Sequence, residues 1–404
     1  MPLEVIYMSI LGPIFIAAPH LAFPELNGAD ISLERVARHL SSHAQWVDIV
    51  AAQVVRRYRN AELESETAIP SHPRSKRWAA LRALCFRSHF LHERFNTPQI
   101  AATIRRLCLS NDYAMQMASF WTTYPMLPSS SGKQLRTIWT HNDEFKIYAD
   151  HIRNTRNPLF KAVAASSLRW LRREVPKIAL ESVFLHVSEA DFEGVNREVP
   201  GHRHLVVAVG TDLDSVHEWP ESNPDGPVIL SLTAALSVKM AFDALIHFRD
   251  HFEAPLRHAF GGRLVVRIIG SSPTPQVRGL CATQGWDLRP DTTNDVFAAL
   301  VRESTFTMLP FPYSNGIKLK LIRTLGSGVP FLSTLACRPP NFSTPAGCCF
   351  ADDPAEWVTT IRKWLSAPNK GELRSSLLNL ACEYSWPKVV GDMALALEKI
   401  QYPV

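Results

Sequence analysis

The sequence predicts an α/β protein made of two domains in succession, each built on a parallel sheet. Three observations carry that reading. Short apolar runs, the pattern of buried strands, alternate with stretches of helical periodicity along most of the chain. The alternation stops over residues 216–227, where four prolines or glycines gather with several charges, and then starts again. A length of 404 residues, 46% hydrophobic and 20% charged, supplies core enough for two or three domains.

In the first half, Leu3 to Ile10 reads as a strand followed by an irregular loop. Asn27-Gly28 precede a strongly periodic helix, Ile31 to His43, and Val47 to Val50 is a second strand. Residues 51–110, rich in arginine and aromatics, read as helices with a loop near Pro70 to Pro73. Ala114 to Phe120 and Leu135 to Thr140 are strands, Lys161 to Leu180 a helix, and Ser182 to Val187 and His204 to Val209 strands. The second half opens with strand Val228 to Leu232, helix Val238 to Phe260 and strand Arg263 to Ile269. Helix Thr293 to Glu303 and strand Phe306 to Leu309 follow, then a lysine-bearing helix that ends at Gly326-Ser327-Gly328, and strand Val329 to Leu332. Residues 354–367 and 371–382 are helical, and Trp386 to Ile400 is a last helix. The domains expected are 1–215, 226–385 and a terminal helix over 386–404.

Composition excludes several classes. The net charge of +5 is mild, and it permits an anionic partner without requiring one. Seven scattered cysteines with no Cys-x-x-Cys pair lack both zinc spacing and a secreted disulfide framework. The apolar N-terminus has no basic leader and is interrupted by Glu4, Gly12, Pro13 and Pro19, so a cytoplasmic protein is expected. No Walker loop and no Gly-x-Ser-x-Gly elbow occurs.

The most informative stretch is PFPYSNGIKLKLIRTLGSGVPFLST, residues 310–334. A strand runs into a loop carrying Asn315-Gly316, and a helix follows with Lys318 and Lys320 in its first turn. A helix N-terminus presents unpaired N–H groups and a partial positive charge. Gly316 lets the backbone approach a ligand closely, and two lysines stand beside it. Lysine is disfavoured at a helix start by the dipole, so an anion such as phosphate is the expected company.

These residues resemble the nucleotide-sugar-binding segment of retaining glycosyltransferases of the GT-B fold, family-4 type. One subgroup reads Gly-Ile-Lys-Leu-Lys-x-x-Glu-Ala-x-x-x-Gly-x-Pro, and this chain keeps Gly316, Ile317, Lys318, Leu319, Lys320, Gly328 and Pro330. The family glutamate that holds the donor ribose is here Arg323, and the other acidic position is Asn315. Gly285-Trp286, Asp352-Asp353-Pro354 and Tyr384-Ser385-Trp386 match further phrases of the family in order. So do His141-Asn142-Asp143, Val187-Ser188-Glu189-Ala190 and Gly210-Thr211-Asp212 in the first half.

The resemblance implies two Rossmann-like domains facing across a cleft with a C-terminal crossing helix. It implies that Asn315, Gly316, Ile317, Lys318 and Lys320 hold the donor diphosphate. Asn27-Gly28, near the family's Gly-Gly turn, would approach the same phosphates, although Asn27 also suits a plain helix N-cap. His141 would contact the transferred sugar as the catalytic residue. Lys239 stands where the family carries a phosphate-gripping lysine, but Leu232-Thr233 replace its Gly-Arg and Met240 follows the lysine. Trp286 is either a neighbour of the nucleobase or a core tryptophan. Arg323 can donate hydrogen bonds but cannot accept them as a glutamate does.

The implied reaction is transfer of a sugar from a nucleotide-sugar donor to a glycan, lipid-linked or small-molecule acceptor, with retention. No cofactor and no metal is expected. Between Arg56 and Arg106 eleven basic residues face four acidic ones, interleaved with aromatics. That balance suits peripheral contact with an anionic membrane at its cytoplasmic face, or a plainly solvated helical face. No nucleic-acid motif accompanies it. A second class stays open in the sequence: a non-catalytic or donor-switched GT-B member, supported by Arg323.

Overall fold

The computed structural model describes residues 11–21, 28–128, 134–155, 157–213, 225–313, 319–339 and 342–402. The expected strand Leu3 to Ile10 and most of the expected linker lie outside the described residues, as do Asn27, Asn315, Gly316, Ile317 and Lys318. The chain forms two compact units, Met1–Ala208 with Trp386–Val404, and Val209–Ser385. The division falls before residue 215 because Thr211 already belongs to the second unit. It bridges to Ser385, and its N–H donates to the Tyr384 carbonyl at 2.7 Å.

Unit 1 carries β1 (Ile14–Ala17), β2 (Val47–Ala51), β3 (Val54–Arg59), β4 (Glu62–Ala68), β5 (Met115–Ser119), β6 (Leu135–Thr140), β7 (Val183–His186) and β8 (Arg203–Val206). They form one sheet in the order β4-β3-β2-β1-β5-β6-β7-β8. All neighbours are parallel except the β2–β3 and β3–β4 pairs. Its helices are α1 (Gly28–Leu40), α2 (Lys76–Cys85), α3 (Phe90–Phe95), α4 (Pro98–Ser110), α5 (Glu144–Asn154), α6 (Pro158–Glu174) and α7 (Glu189–Glu198).

Two segments differ from the sequence-based expectation. Residues 14–17, read as part of an irregular loop, are the strand β1, which starts directly after Pro13 and is buried at every position. An unalternating buried run is what a parallel strand covered on both faces requires. Residues 54–68, read as helical, are a β-hairpin whose two-residue turn, Asn60-Ala61, holds both residues at positive φ. Such a turn matches the strand twist, and asparagine tolerates it. The hairpin is held by charge. Arg57, directly opposite Asp48 in the ladder, donates to both its carboxylate oxygens at 2.7 and 2.8 Å. Tyr113 and Trp46 donate to the same buried group. Arg56 likewise pairs with Glu34 and Glu66. Part of the basic run is therefore spent on internal ion pairs.

Unit 2 carries β9 (Val228–Ala235), β10 (Leu264–Ser271), β11 (Asp287–Pro290), β12 (Phe306–Leu309), β13 (Phe331–Ser333) and β14 (Cys349–Phe350). The sheet is parallel throughout in the order β11-β10-β9-β12-β13-β14. Counted from its first strand this is 3-2-1-4-5-6, the doubly wound order of dinucleotide-binding sheets. Its helices are α8 (Lys239–His247), α9 (Ala254–Phe260), α10 (Pro275–Gln284), α11 (Asn294–Arg302), α12 (Leu319–Gly326), α13 (Pro354–Ser366) and α14 (Lys370–Cys382). A π-helical segment, Phe248–Glu253, joins α8 to α9 just before Pro255. Proline has no N–H and crowds the preceding turn, and the wider turn absorbs both effects. Phe252 stacks on Trp357 at 4.2 Å in the core beneath. The last helix, α15 (Trp386–Gln401), belongs to unit 1, where it packs on α1.

Candidate functional site

In an open parallel sheet, ligands gather at the carboxyl ends of the strands, where the winding reverses. In unit 2 that point lies between β9 and β12. The chain leaves β9 into α8, whose first residue is Lys239. It leaves β12 through Phe311 and Tyr313 toward α12. Lys239 Nζ donates to both carboxylate oxygens of Asp243 at 2.7 and 2.6 Å, and Tyr313 Oη donates to the same carboxylate at 2.5 Å. Burial, with Asp243 beside it, pushes the Tyr313 phenol up to about 12. The lysine side chain is 82% exposed. A cation and a phenol from two different strand ends thus meet at the switch point, with one carboxylate as their shared partner.

Lys320, in the first turn of α12, holds its ammonium 4.9 Å from the Phe311 ring centroid. Arg323, one turn further, lies over Phe297 of α11 at 4.5 Å. Trp286 is buried in the unit 2 core, where Nε1 donates to Glu253 at 2.9 Å and the ring packs edge-on to Phe248. These are the contacts of a core tryptophan.

In unit 1 the winding reverses between β1 and β5. The loop after β1 carries His20, whose Nδ1 is 3.3 Å from Asp30 in the first turn of α1, the helix that Gly28 begins. Next along the edge stands His141, directly after β6. Its Nε2 is 2.8 Å from Ser119 Oγ at the end of β5. Its ring lies 4.2 Å from Phe120, stacked, and 4.3 Å from Trp139. Burial drives its pKa down to about 3, so the imidazole is neutral near neutral pH. One strand further, His186 Nδ1 is 2.8 Å from Thr140 Oγ1, and its Nε2 is 2.8 Å from His204 Nδ1. Burial, helped by His204, brings His186 to about 3 as well.

Sequence reasoning missed Tyr313, Asp243, Ser119 and Phe120. Asp243 was findable, lying four residues after Lys239 and hence on the same helix face. Ser119 and Phe120 carried no signal beyond ending an apolar strand.

No family model matches the chain, and no curated protein matches it. Solved structures do. Sucrose-phosphate synthase from Thermosynechococcus elongatus aligns over 96% of this chain and 99% of its own, with a TM-score of 0.67 at 11% identity. HepE of Anabaena, solved with UDP, covers 96% of this chain and 100% of its own at a TM-score of 0.58 and 9% identity. WaaG, a glycosyltransferase of lipopolysaccharide biosynthesis, covers 98% and 100% at a TM-score of 0.58 and 12% identity.

The chain has the GT-B fold. Both GT-B units contribute a polar cluster at the carboxyl edge of their own sheet. The unit 2 cluster holds a cation and a phenol, and the unit 1 cluster holds neutral histidine. Among the described residues no group of three or more His, Cys, Asp or Glu side chains converges as metal ligands would.

Proposed function

We propose that the protein is a nucleotide-sugar-dependent glycosyltransferase that retains anomeric configuration and passes the sugar to a glycan or lipid-linked acceptor. The observation that carries this reading is the meeting of Lys239 and Tyr313 at the switch point of a GT-B sheet of dinucleotide-binding order. Asn315, Gly316, Ile317 and Lys318 follow Tyr313 in the sequence after the single residue Ser314. The relatives support a uridine donor: HepE was solved with UDP-glucose, and the pneumococcal O-GlcNAc transferase GtfA with UDP and GlcNAc.

In this reading Lys318, Lys320 and the amides near Gly316 neutralise the charge that grows on the leaving diphosphate, so no metal is called on. Gly28 begins α1, and its amide, with that of Asn27 before it in the sequence, is the unit 1 candidate for an anion contact. Neutral His141 offers its one N–H as a hydrogen-bond donor to a sugar hydroxyl and is too weak an acid in that form to serve as a general acid. Excluding water protects the donor from hydrolysis.

An acceptor at a cytoplasmic membrane face fits the surface of unit 1. On α2 and the turn after it, Trp78, Leu81 and Phe86 are exposed beside Lys76, Arg77 and Arg87. Apolar rings rimmed by cations are what an anionic lipid interface recruits. No helix among the described residues is long and apolar enough to cross a membrane.

Arg323 supports a second reading, a donor-switched or non-catalytic binder. Its guanidinium lies on Phe297, at the position where the family carries a ribose-binding carboxylate. A thermal-shift panel of UDP-, GDP-, ADP-, TDP- and CMP-sugars, followed by mass-spectrometric detection of sugar transfer, separates the two. Stabilisation with transfer supports the enzyme, and stabilisation without transfer to any glycan or lipid acceptor supports the binder.

A further inference from the structure

We propose that Ser119 is a positioning residue that holds His141 with its proton on Nδ1, so that Nδ1–H is the donor turned to substrate. The functional part of this inference rests on the glycosyl-transfer reading; the protonation part does not.

The Ser119 side chain is buried, and among the described residues its hydroxyl makes one hydrogen bond, to His141 Nε2 at 2.8 Å. A buried hydroxyl hydrogen left without an acceptor costs free energy. Nε2 is the one acceptor in reach among the described residues, so the hydroxyl donates and Nε2 carries the lone pair. A neutral imidazole has one N–H, which must then sit on Nδ1. Among the described residues Nδ1 has no hydrogen-bond partner.

The backbone beside Ser119 is built to keep this geometry. Phe120 adopts φ +71° and ψ 148°, a region that bulky residues avoid. Strain of this kind persists only where the surroundings over-determine it. Here they do. The Phe120 N–H donates to the Trp139 carbonyl at 3.0 Å, two residues before His141. The buried Thr123 hydroxyl lies within 3.2 Å of the carbonyls of Ala17, Ser119 and Phe120, which ties together the ends of β1 and β5. The strained turn places the Phe120 ring against the imidazole face while Ser119 grips its edge. Two constraints on one ring fix both its plane and its rotation.

The test is nitrogen NMR of the full chain with labelled histidine, His141 being assigned by its loss in His141→Gln. The expected result is an Nδ1–H tautomer in the unaltered protein. Ser119→Ala is expected to move His141 toward Nε2–H, the form favoured in water, and Ser119→Thr to restore Nδ1–H. Finding Nε2–H in the unaltered protein, or an unchanged His141 signal in Ser119→Ala, overturns the proposal. Turnover of UDP-glucose adds a second arm. Ser119→Ala should lower kcat about tenfold with KM changed less than about threefold, and Ser119→Thr should recover most of it. A loss that threonine does not rescue counts against positioning. If the unaltered protein turns over no nucleotide sugar, the functional reading fails and the NMR arm still decides the tautomer.

Discussion

Phe120 stacks on His141 with ring centroids 4.2 Å apart and planes 24° from parallel, from a backbone held at φ +71°. A β-carbon is strained in that conformation and a glycine is not. Replacing Phe120 by alanine removes the ring but keeps the strain, whereas glycine removes both. The usual ranking of alanine above glycine should therefore invert, with Phe120→Gly more stable than Phe120→Ala by about 1 kcal/mol. Urea unfolding midpoints of the two variants measure this, and a more stable alanine variant would show the turn to be relaxed.

Unit 1 should lose stability in mild acid. His141 and His186 are both lowered by burial from an ordinary 6.5 to about 3. The unfolded chain takes up these protons near pH 6.5 and the folded chain only near pH 3. Their contribution is complete above pH 6.5 and declines as pH falls through that window. The decline is at most about 1.4 kcal/mol per pH unit for each histidine. His186→Gln should flatten the dependence measured between about pH 7.5 and about pH 5. An equally steep dependence would place the titration elsewhere.

Lys239 and Tyr313 should matter for ligand and little for folding. The Lys239–Asp243 pair is largely exposed, and exposed pairs contribute about 0–1 kcal/mol. Lys239→Ala and Tyr313→Phe should each keep the thermal midpoint within about 2 °C while weakening UDP binding several-fold. Full UDP affinity in both variants would remove the switch-point cluster from the donor site.

Contact with an anionic membrane should depend on α2. Joint replacement of Trp78 and Phe86 by alanine should abolish co-sedimentation with phosphatidylglycerol vesicles, and added salt should weaken the unaltered protein's binding. Binding that survives the double variant, or equal binding to phosphatidylcholine, would assign these side chains another role.

Much of the architecture was legible because its signals are local. β6 and β12 run over the residues their apolar runs mark, Leu135–Thr140 and Phe306–Leu309. The hairpin was not legible, since its turn is Asn-Ala rather than Asn-Gly and β4 is an exposed, glutamate-rich edge. Charged edges discourage unwanted pairing, but they erase the alternation that marks a strand. β1 hid behind Pro13 in a stretch too apolar to show a period. The site divides in the same way. His141 was marked by its position after a strand and Lys239 by the family resemblance, whereas Ser119, Phe120 and Tyr313 enter the candidate site through contacts between strand ends that no sequence spacing displays.

Calorimetry with UDP-glucose and the other nucleotide sugars tests the proposed donor binding by unit 2 most directly. The unaltered protein should bind at least one of them, and the double variant Lys318→Ala, Lys320→Ala should show no measurable heat. Equal binding by the two proteins, or no binding of any nucleotide sugar by the unaltered protein, would contradict it.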